Sequence, residues 1–239
     1  MSAADYREAL QSLLETRPMI GEALAALAML EARDQQPTAQ PSQERWDHAL
    51  IRGLVPDGAS VLDLGCGGGE LLADLRDSKG AFVQGVERDL ESVIQCVSRG
   101  VPVIQADLDA GLAGFGDLSF DYVVLEETLQ TVYRPGLVLT EMMRVGRRCI
   151  VSFPNFGHWR VRLQLYADGR MPVTPMLPYT WHSTPNIRLV TIRDFTEWCD
   201  ELGATVEAAY AYADGICRPL VAVDNLLAEE ALFVISRHA

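Results

Sequence analysis

Val61-Leu62-Asp63-Leu64-Gly65-Cys66-Gly67-Gly68-Gly69 decides how this chain is read. An apolar pair leads into Asp63, glycines follow at alternate positions, and Glu70-Leu71-Leu72-Ala73-Asp74-Leu75 continues with a helix-like pattern. The stretch predicts a buried strand, a tight turn and a helix N-terminus, the arrangement in which a nucleotide-like ligand approaches bare backbone. Spacing separates the candidate ligands. A dinucleotide fingerprint needs G-x-G-x-x-G, and its third glycine would fall at position 70, where the chain has Glu70. The form present is D-x-G-x-G-x-G, with an acid two residues before the first glycine.

That form resembles motif I of the class I S-adenosylmethionine-dependent methyltransferases. The resemblance implies S-adenosylmethionine, or its product S-adenosylhomocysteine, held by Asp63, Gly65, Cys66, Gly67 and Gly69. This ligand has no pyrophosphate to seat on the helix dipole, so an acid beside the turn is tolerated and suits its cationic amino-acid end. Asp63 either orients the glycine turn or meets that ammonium group through water. Glu87 lies eighteen residues beyond Gly69, at the end of the second predicted strand, where a carboxylate can accept both ribose hydroxyl protons. Asp107 follows the third strand and is placed to read the adenine amino edge, with Leu108 against the ring.

Outward from the turn, element types alternate as a doubly wound sheet requires. Helix 44–54 precedes strand 60–64. Helix 69–77, strand 82–86, helix 90–99 and strand 102–105 follow. Strand 120–125 is a nearly unbroken apolar run, then come helix 135–145 and strand 148–153. After an insertion over 152–191 the chain resumes with helix 192–202 and two strands, 205–212 and 231–236. The expectation is a Rossmann-like α/β fold: a mostly parallel seven-stranded sheet ending in an antiparallel C-terminal hairpin. It occupies residues 44–239 and is preceded by an N-terminal helical extension and linker, residues 1–43. In that extension Leu10, Leu13, Leu14, Ile20, Leu24, Leu27 and Leu30 recur at helical spacing around Pro18. Such an amphipathic pair must bury its stripe, against the domain or against a second subunit in a homodimer.

The 239 residues, 49% hydrophobic, suffice for one well-cored domain. A net charge of −13 disfavours nucleic acid as partner. The five cysteines are odd in number and form no C-x-x-C pair, which fits reduced apolar fillers rather than a disulfide frame or a zinc site. No cluster has metal-ligand spacing. No membrane span or signal peptide is read, so the expected compartment is the cytoplasm.

Two further regions carry candidate chemistry. Glu126-Glu127 follows strand four at the edge of the crevice, where a carboxylate can act as general base. The stretch from Ser152 to Arg193 sets five arginines against the single Asp168 and holds five of the twelve prolines. Arginine beside aromatics is interface composition. The expectation is a lid over the crevice, with His158 as an acid/base candidate, or a docking face carried by Trp159, Arg160 and Arg162.

With these motifs placed, the chain resembles the MetW family of methionine-biosynthesis proteins between about Ser60 and Gly203. The most distinctive stretch is Val151-Ser152-Phe153-Pro154-Asn155-Phe156-Gly157-His158-Trp159-Arg160-Val161-Arg162, supported by Gly169-Arg170-Met171-Pro172-Val173-Thr174 and Thr184-Pro185-Asn186-Ile187. The resemblance implies a role beside homoserine O-acetyltransferase, as an accessory partner that this enzyme needs for full activity. The alternative is a methyltransferase acting on a small molecule. Two departures stand out: Gly68 where family members commonly have an acid, and Glu126-Glu127 where they commonly have Ser-Gln.

Overall fold

Apolar runs long enough for strands but too short for helices pair edge to edge here, and the sheet they make fixes the position of everything else. A computed structural model describes residues 45–237. The strands are β1 (Ser60–Leu64), β2 (Phe82–Glu87), β3 (Val103–Gln105), β4 (Phe120–Leu125), β5 (Gly146–Pro154), β6 (Ala204–Ala213), β7 (Ile216–Pro219) and β8 (Glu230–Arg237). Their order is β3-β2-β1-β4-β5-β8-β6-β7. The first five run parallel, while β8 lies antiparallel to both β5 and β6.

The doubly wound architecture therefore stands, with one strand more than the seven expected. Strand β7 turns back on β6 through Asp214-Gly215, pairs Ala213 with Ile216, and forms the sheet edge. Four residues with Pro219 at the end carry too little periodicity to be read as a strand.

The helices are α1 (Trp46–Leu54), α2 (Glu70–Lys79), α3 (Leu90–Ser98), α4 (Pro135–Val145), α5 (Trp159–Asp168), α6 (Ile192–Glu201) and the single turn α7 (Asp224–Leu227). Side-chain alternation splits the core into two layers. Val61, Tyr122 and Val124 pack with Ile51, Leu71, Leu72 and Leu75 on the α1–α2 side. Leu62, Leu64, Val123 and Leu125 pack with Leu139, Met142 and Phe195 on the α4–α6 side. Phe153, Phe195 and Phe233 form the aromatic centre of that second layer, with ring centroids 4.8–5.9 Å apart.

Local chemistry sets the helix starts. Asp89 caps α3 by accepting from Ser92 N–H at 2.9 Å, Thr191 caps α6 through Asp194 N–H at 3.1 Å, and Pro135 opens α4. The insertion expected over 152–191 is not all loop: its first three residues finish β5, Trp159–Asp168 form helix α5, and irregular chain runs from there to α6. The two helices expected before Pro18 and after it lie outside the described residues. Among the described residues, no helix is long and apolar enough to cross a membrane.

Candidate functional site

Parallel strands β1, β2 and β4 end at the same rim of the sheet, and the turns leaving them build a crevice there. The turn after β1 uses left-handed backbone at Gly65, with φ +76°, and at Gly67, with φ +52°. A side chain at Gly65 would come within 2.6 Å of Thr128 Oγ1, so the turn touches the β4 loop directly. A side chain at Gly67 would meet nothing within 4 Å, so space lies open on that side of the turn. The Cys66 thiol points the other way, into the α2–α3 layer, 3.7 Å from Cys96 Sγ. The Cys66 backbone is engaged within the turn, its N–H donating to Val86 O at 3.2 Å and its carbonyl accepting from Gly69 N–H at 2.9 Å.

Glu87 ends β2 and holds the turn in place. Its Oε2 accepts from Gly67 N–H at 3.0 Å, and its Oε1 accepts from Arg88 and Asp89 N–H at 2.7 and 2.8 Å. A carboxylate offers about four acceptor positions. Three are filled, so one remains for a ribose hydroxyl rather than the two expected. The same contact reassigns a role: Glu87, not Asp63, ties the glycine turn. Asp107 Oδ1 accepts from Asp109 N–H at 3.0 Å, starting a single turn over Leu108–Ala110. Leu108 belongs to the core and still forms part of the wall.

Together Gly65, Glu87, Asp107, Leu108, Thr128 and Val132 line an open pocket of about 150 Å³. The structure thus brings three of the residues picked out from the sequence, Glu87, Asp107 and Leu108, into one pocket with the glycine turn. Asp109 was not picked out. It accepts from Tyr133 and Arg134 N–H at 3.0 and 2.6 Å, fastening the Leu108–Ala110 turn to the segment before α4.

Next to Thr128, the first turn of α1 meets the loop after β4. Arg45 lies 2.7 Å from Asp47 Oδ2 and 3.0 Å from Glu126 Oε1, and His48 Nε2 lies 2.9 Å from the same Glu126 oxygen. Trp46 stacks on Tyr212, with centroids 4.8 Å apart and planes at 8°, and donates its indole N–H to Glu230 Oε2. Asp47, His48 and Glu126 are close enough to share a metal ion, but the Arg45 guanidinium already bridges two of the three. Burial pushes Glu127 up to about 8 and Glu230 up to about 7, each reinforced by neighbouring carboxylates. Burial also raises Asp63 well above its usual range, with Glu126 and Glu87 adding to it. Neither Arg45-Trp46-Asp47-His48 nor Glu230 was picked out from the sequence. Charges in the first turn of a predicted helix look like any solvated helix start.

The distinctive Pro-Asn-Phe-Gly-His-Trp run serves a scaffold. Asn155 is 1% exposed. Its Nδ2 donates to Ala228 O at 2.8 Å, its Oδ1 accepts from Gly157 N–H at 2.9 Å, and its own N–H donates to Glu229 O at 2.8 Å. Gly157 allows the chain to pass Asn225 O, which a side chain would meet at 2.7 Å. Arg162 donates to Gly157 O and Asn225 O in the same knot. Trp159 is buried at 8% exposure and His158 at 5%, so neither presents a face to a partner. His158 lines a small separate pocket with Thr174, Leu177 and Glu229 rather than the pocket of Glu87. Arg160 sits over the Trp159 ring at 5.2 Å and 3.6 Å from Glu229. The exposed aromatics of the insertion lie further along, at Tyr166, Tyr179 and Trp181.

Comparison with known proteins places this geometry. The family described as "Methionine biosynthesis protein MetW" matches residues 45–235. The bifunctional methionine biosynthesis protein MetXA/MetW of Rhodopirellula baltica is 41% identical over 170 residues, covering 67% of this chain and 27% of that protein. A ubiquinone biosynthesis O-methyltransferase of Paracidovorax citrulli is 38% identical over 103 residues, 40% of this chain and 42% of that one. The chain therefore spans less than half the length of either relative. Among solved structures, a possible histamine N-methyltransferase from Thermotoga maritima superposes with a TM-score of 0.60 at 16% identity, covering 80% of this chain and 87% of that one. A TehB-like S-adenosylmethionine-dependent methyltransferase from Corynebacterium glutamicum gives 0.56 at 18% identity, covering 92% and 100%. At such identities the likeness establishes the fold, that of the class I methyltransferases.

Proposed function

The chain belongs to the MetW family of methionine biosynthesis proteins, and from that premise we propose that it is an S-adenosylmethionine-binding accessory partner of homoserine O-acetyltransferase. The observation that carries the partner is the Rhodopirellula relative, whose name joins MetXA and MetW in one bifunctional polypeptide. Covalent linkage keeps two modules at high effective concentration, and selection retains it where they act together.

Support for the ligand comes from the pocket. The left-handed turn at Gly65 and Gly67, the remaining acceptor position on Glu87 and the Asp107–Leu108 wall suit an adenosine moiety. The docking face is the distal insertion. Tyr166, Tyr179 and Trp181 are 70%, 52% and 75% exposed. Arg170, Met171, Val173 and Trp181 flank an open groove of about 580 Å³. Exposed aromatics beside an arginine are the composition of interface centres. Arg160, engaged with the Trp159 ring and Glu229, lies outside this groove.

Catalysis by the β4 loop is the weaker reading. Glu126 is held by Arg45 and His48, and burial pushes Glu127 up to about 8, which favours its protonated form at neutral pH, so neither is a ready base there.

Because S-adenosylmethionine lies downstream of the acetyl transfer, an accessory protein that binds it couples end product to early enzyme. The test is homoserine O-acetyltransferase activity with and without this chain, each with and without S-adenosylmethionine. A rise in rate supports the accessory role, and ligand dependence supports the coupling. No rise and no complex overturn both.

A further inference from the structure

Helix α3 carries two apolar faces where a surface helix carries one. Its inner face buries Cys96 in the α1–α2 layer. On the outside Leu90, Ile94 and Val97 are 58%, 60% and 65% exposed. Their spacing of four and then three residues sets them in one line along the helix. A contiguous apolar line on a surface marks a contact. The inner face also holds the glycine turn. Cys96 Sγ donates to Gly67 O at 3.1 Å, and Arg99, just past the helix end, donates to Gly68 O at 2.8 Å.

The size of the line limits what covers it. Helix α3 has nine residues, so it is about 14 Å long. Three side chains on it cannot supply the roughly 1,200–2,000 Å² that a stable complex of two chains buries. A tethered segment needs less area, because the linker supplies the effective concentration. The chain holds such a segment outside the described residues. Ile20, Leu24 and Leu27 repeat the spacing of four and then three, and Ala23, Ala25, Ala26 and Ala28 between them allow close approach.

Reach is sufficient. The polar linker 34–43 spans about 33 Å when extended. It leads to Arg45, which lies beside Glu126 after β4. Helix α3 starts after Glu87 at the end of β2, only β1 stands between β2 and β4, and α1 and α3 lie on the same face of the sheet. Strands are about 4.8 Å apart and packed helices about 8–10 Å, so α3 is well inside that span.

We propose that segment 20–30 docks on the outer face of α3, setting Ile20, Leu24 and Leu27 against Leu90, Ile94 and Val97. The contact requires neither the ligand nor the partner proposed above. It backs the helix that grips the carbonyls of Gly67 and Gly68, so the N-terminal segment braces the glycine turn from behind.

The experiment is hydrogen–deuterium exchange on the full, ligand-free chain, with its mass in solution measured by light scattering. A helix as short as 20–30 is marginal alone in water, so slow exchange of its amides reports docking. In the unaltered monomer these amides are expected to exchange about tenfold or more slowly than in an unfolded chain. Ile94→Glu combined with Val97→Glu is expected to abolish that protection while β1 and β4 keep theirs. Leu24→Glu combined with Leu27→Glu alters no described residue and is expected to speed exchange over 90–98. Unprotected 20–30 in the unaltered chain overturns the proposal, as does protection that survives in the folded α3 variant. Exchange over 90–98 that the segment variant leaves unchanged overturns it as well. A dimer that the α3 variant splits assigns the face to a second copy and overturns it too.

Discussion

His48 Nε2 lies 2.9 Å from Glu126 Oε1, an imidazole on the helix before β1 and a carboxyl from the loop after the neighbouring β4 joined in one contact. Burial alone would lower the His48 pKa, but the hydrogen bond and charge of Glu126 outweigh it and raise it. Burial raises Glu126, Glu127 and Glu230 as well. A group whose folded pKa is raised holds its proton more tightly in the folded state, so stability falls as pH rises from the unfolded to the folded value. For the carboxyls that window opens near 4.5 and extends to about 7 for Glu230 and about 8 for Glu127. For His48 it opens at 6.5 and extends above it. Each titrating group tilts stability by about 1.4 kcal/mol per pH unit inside its window. The ligand-free protein should therefore melt at falling temperature between pH 5 and 8.5. Glu127→Gln should flatten the upper part of that curve. A melting temperature that climbs over the range refutes this account of the cluster.

Gly65→Ala tests the contact between turn and β4 loop. The substitution forces a side chain into φ +76° and onto Thr128. The conformational part alone costs roughly 1–2 kcal/mol. Denaturant melts should show at least that loss, and Thr128→Gly should recover the steric part of it in the double variant. Strict additivity of the two changes would mean that the contact does not exist in solution.

Thiol reactivity should single out one cysteine. Cys217 is exposed, while Cys66, Cys96, Cys149 and Cys199 are buried. Burial pushes Cys149 up to about 12 and Cys199 up to about 11, and it raises Cys66 and Cys96 too, with nearby acids contributing to the Cys66 shift. A thiol-reactive dye should label one site quickly in the native protein and the other four only on unfolding. Rapid labelling of Cys217→Ser would contradict the packing around the glycine turn.

Asn155→Ala removes a side chain that satisfies three buried backbone groups, Ala228 O, Gly157 N–H and Ile192 N–H. Stranding buried polar groups costs about 1–3 kcal/mol each. The expected result is a loss of several kcal/mol by chemical denaturation, with amide exchange accelerated at both 156–160 and 224–229. Loss confined to one of those segments would show that the knot does not tie them.

Strand β1, the glycine turn and Glu87 are legible in the sequence because they are local: apolar runs, glycines and an acid at a fixed interval suffice. The same holds for α4, whose bounds 135–145 coincide with the reading from Pro135 and its periodicity. Long-range relationships are not written that way. Glu230 is separated from Trp46 by 184 positions, and nothing in its neighbourhood marks it as part of the crevice. The Pro-Asn-Phe-Gly-His-Trp run shows the opposite difficulty. Its distinctiveness invites a surface role, yet Trp159 is core and Asn155 is a fastening, because unusual backbone paths need specific side chains as much as partners do.

The insertion that bears Tyr166 and Trp181 is fastened at both ends to the walls of the crevice. At its entry Asn155 donates to the carbonyl of Glu229, one peptide bond from Glu230. At its exit Ile187 and Arg188 both donate to the carbonyl of Gln130, whose side chain holds the carbonyl of Glu127 at 2.7 Å. The insertion is thus a bridle with its two reins tied beside Glu127 and Glu230. Close-packed interiors transmit displacement rather than absorb it, so a partner that grips the exposed aromatics is expected to shift Glu127 and Glu230 together.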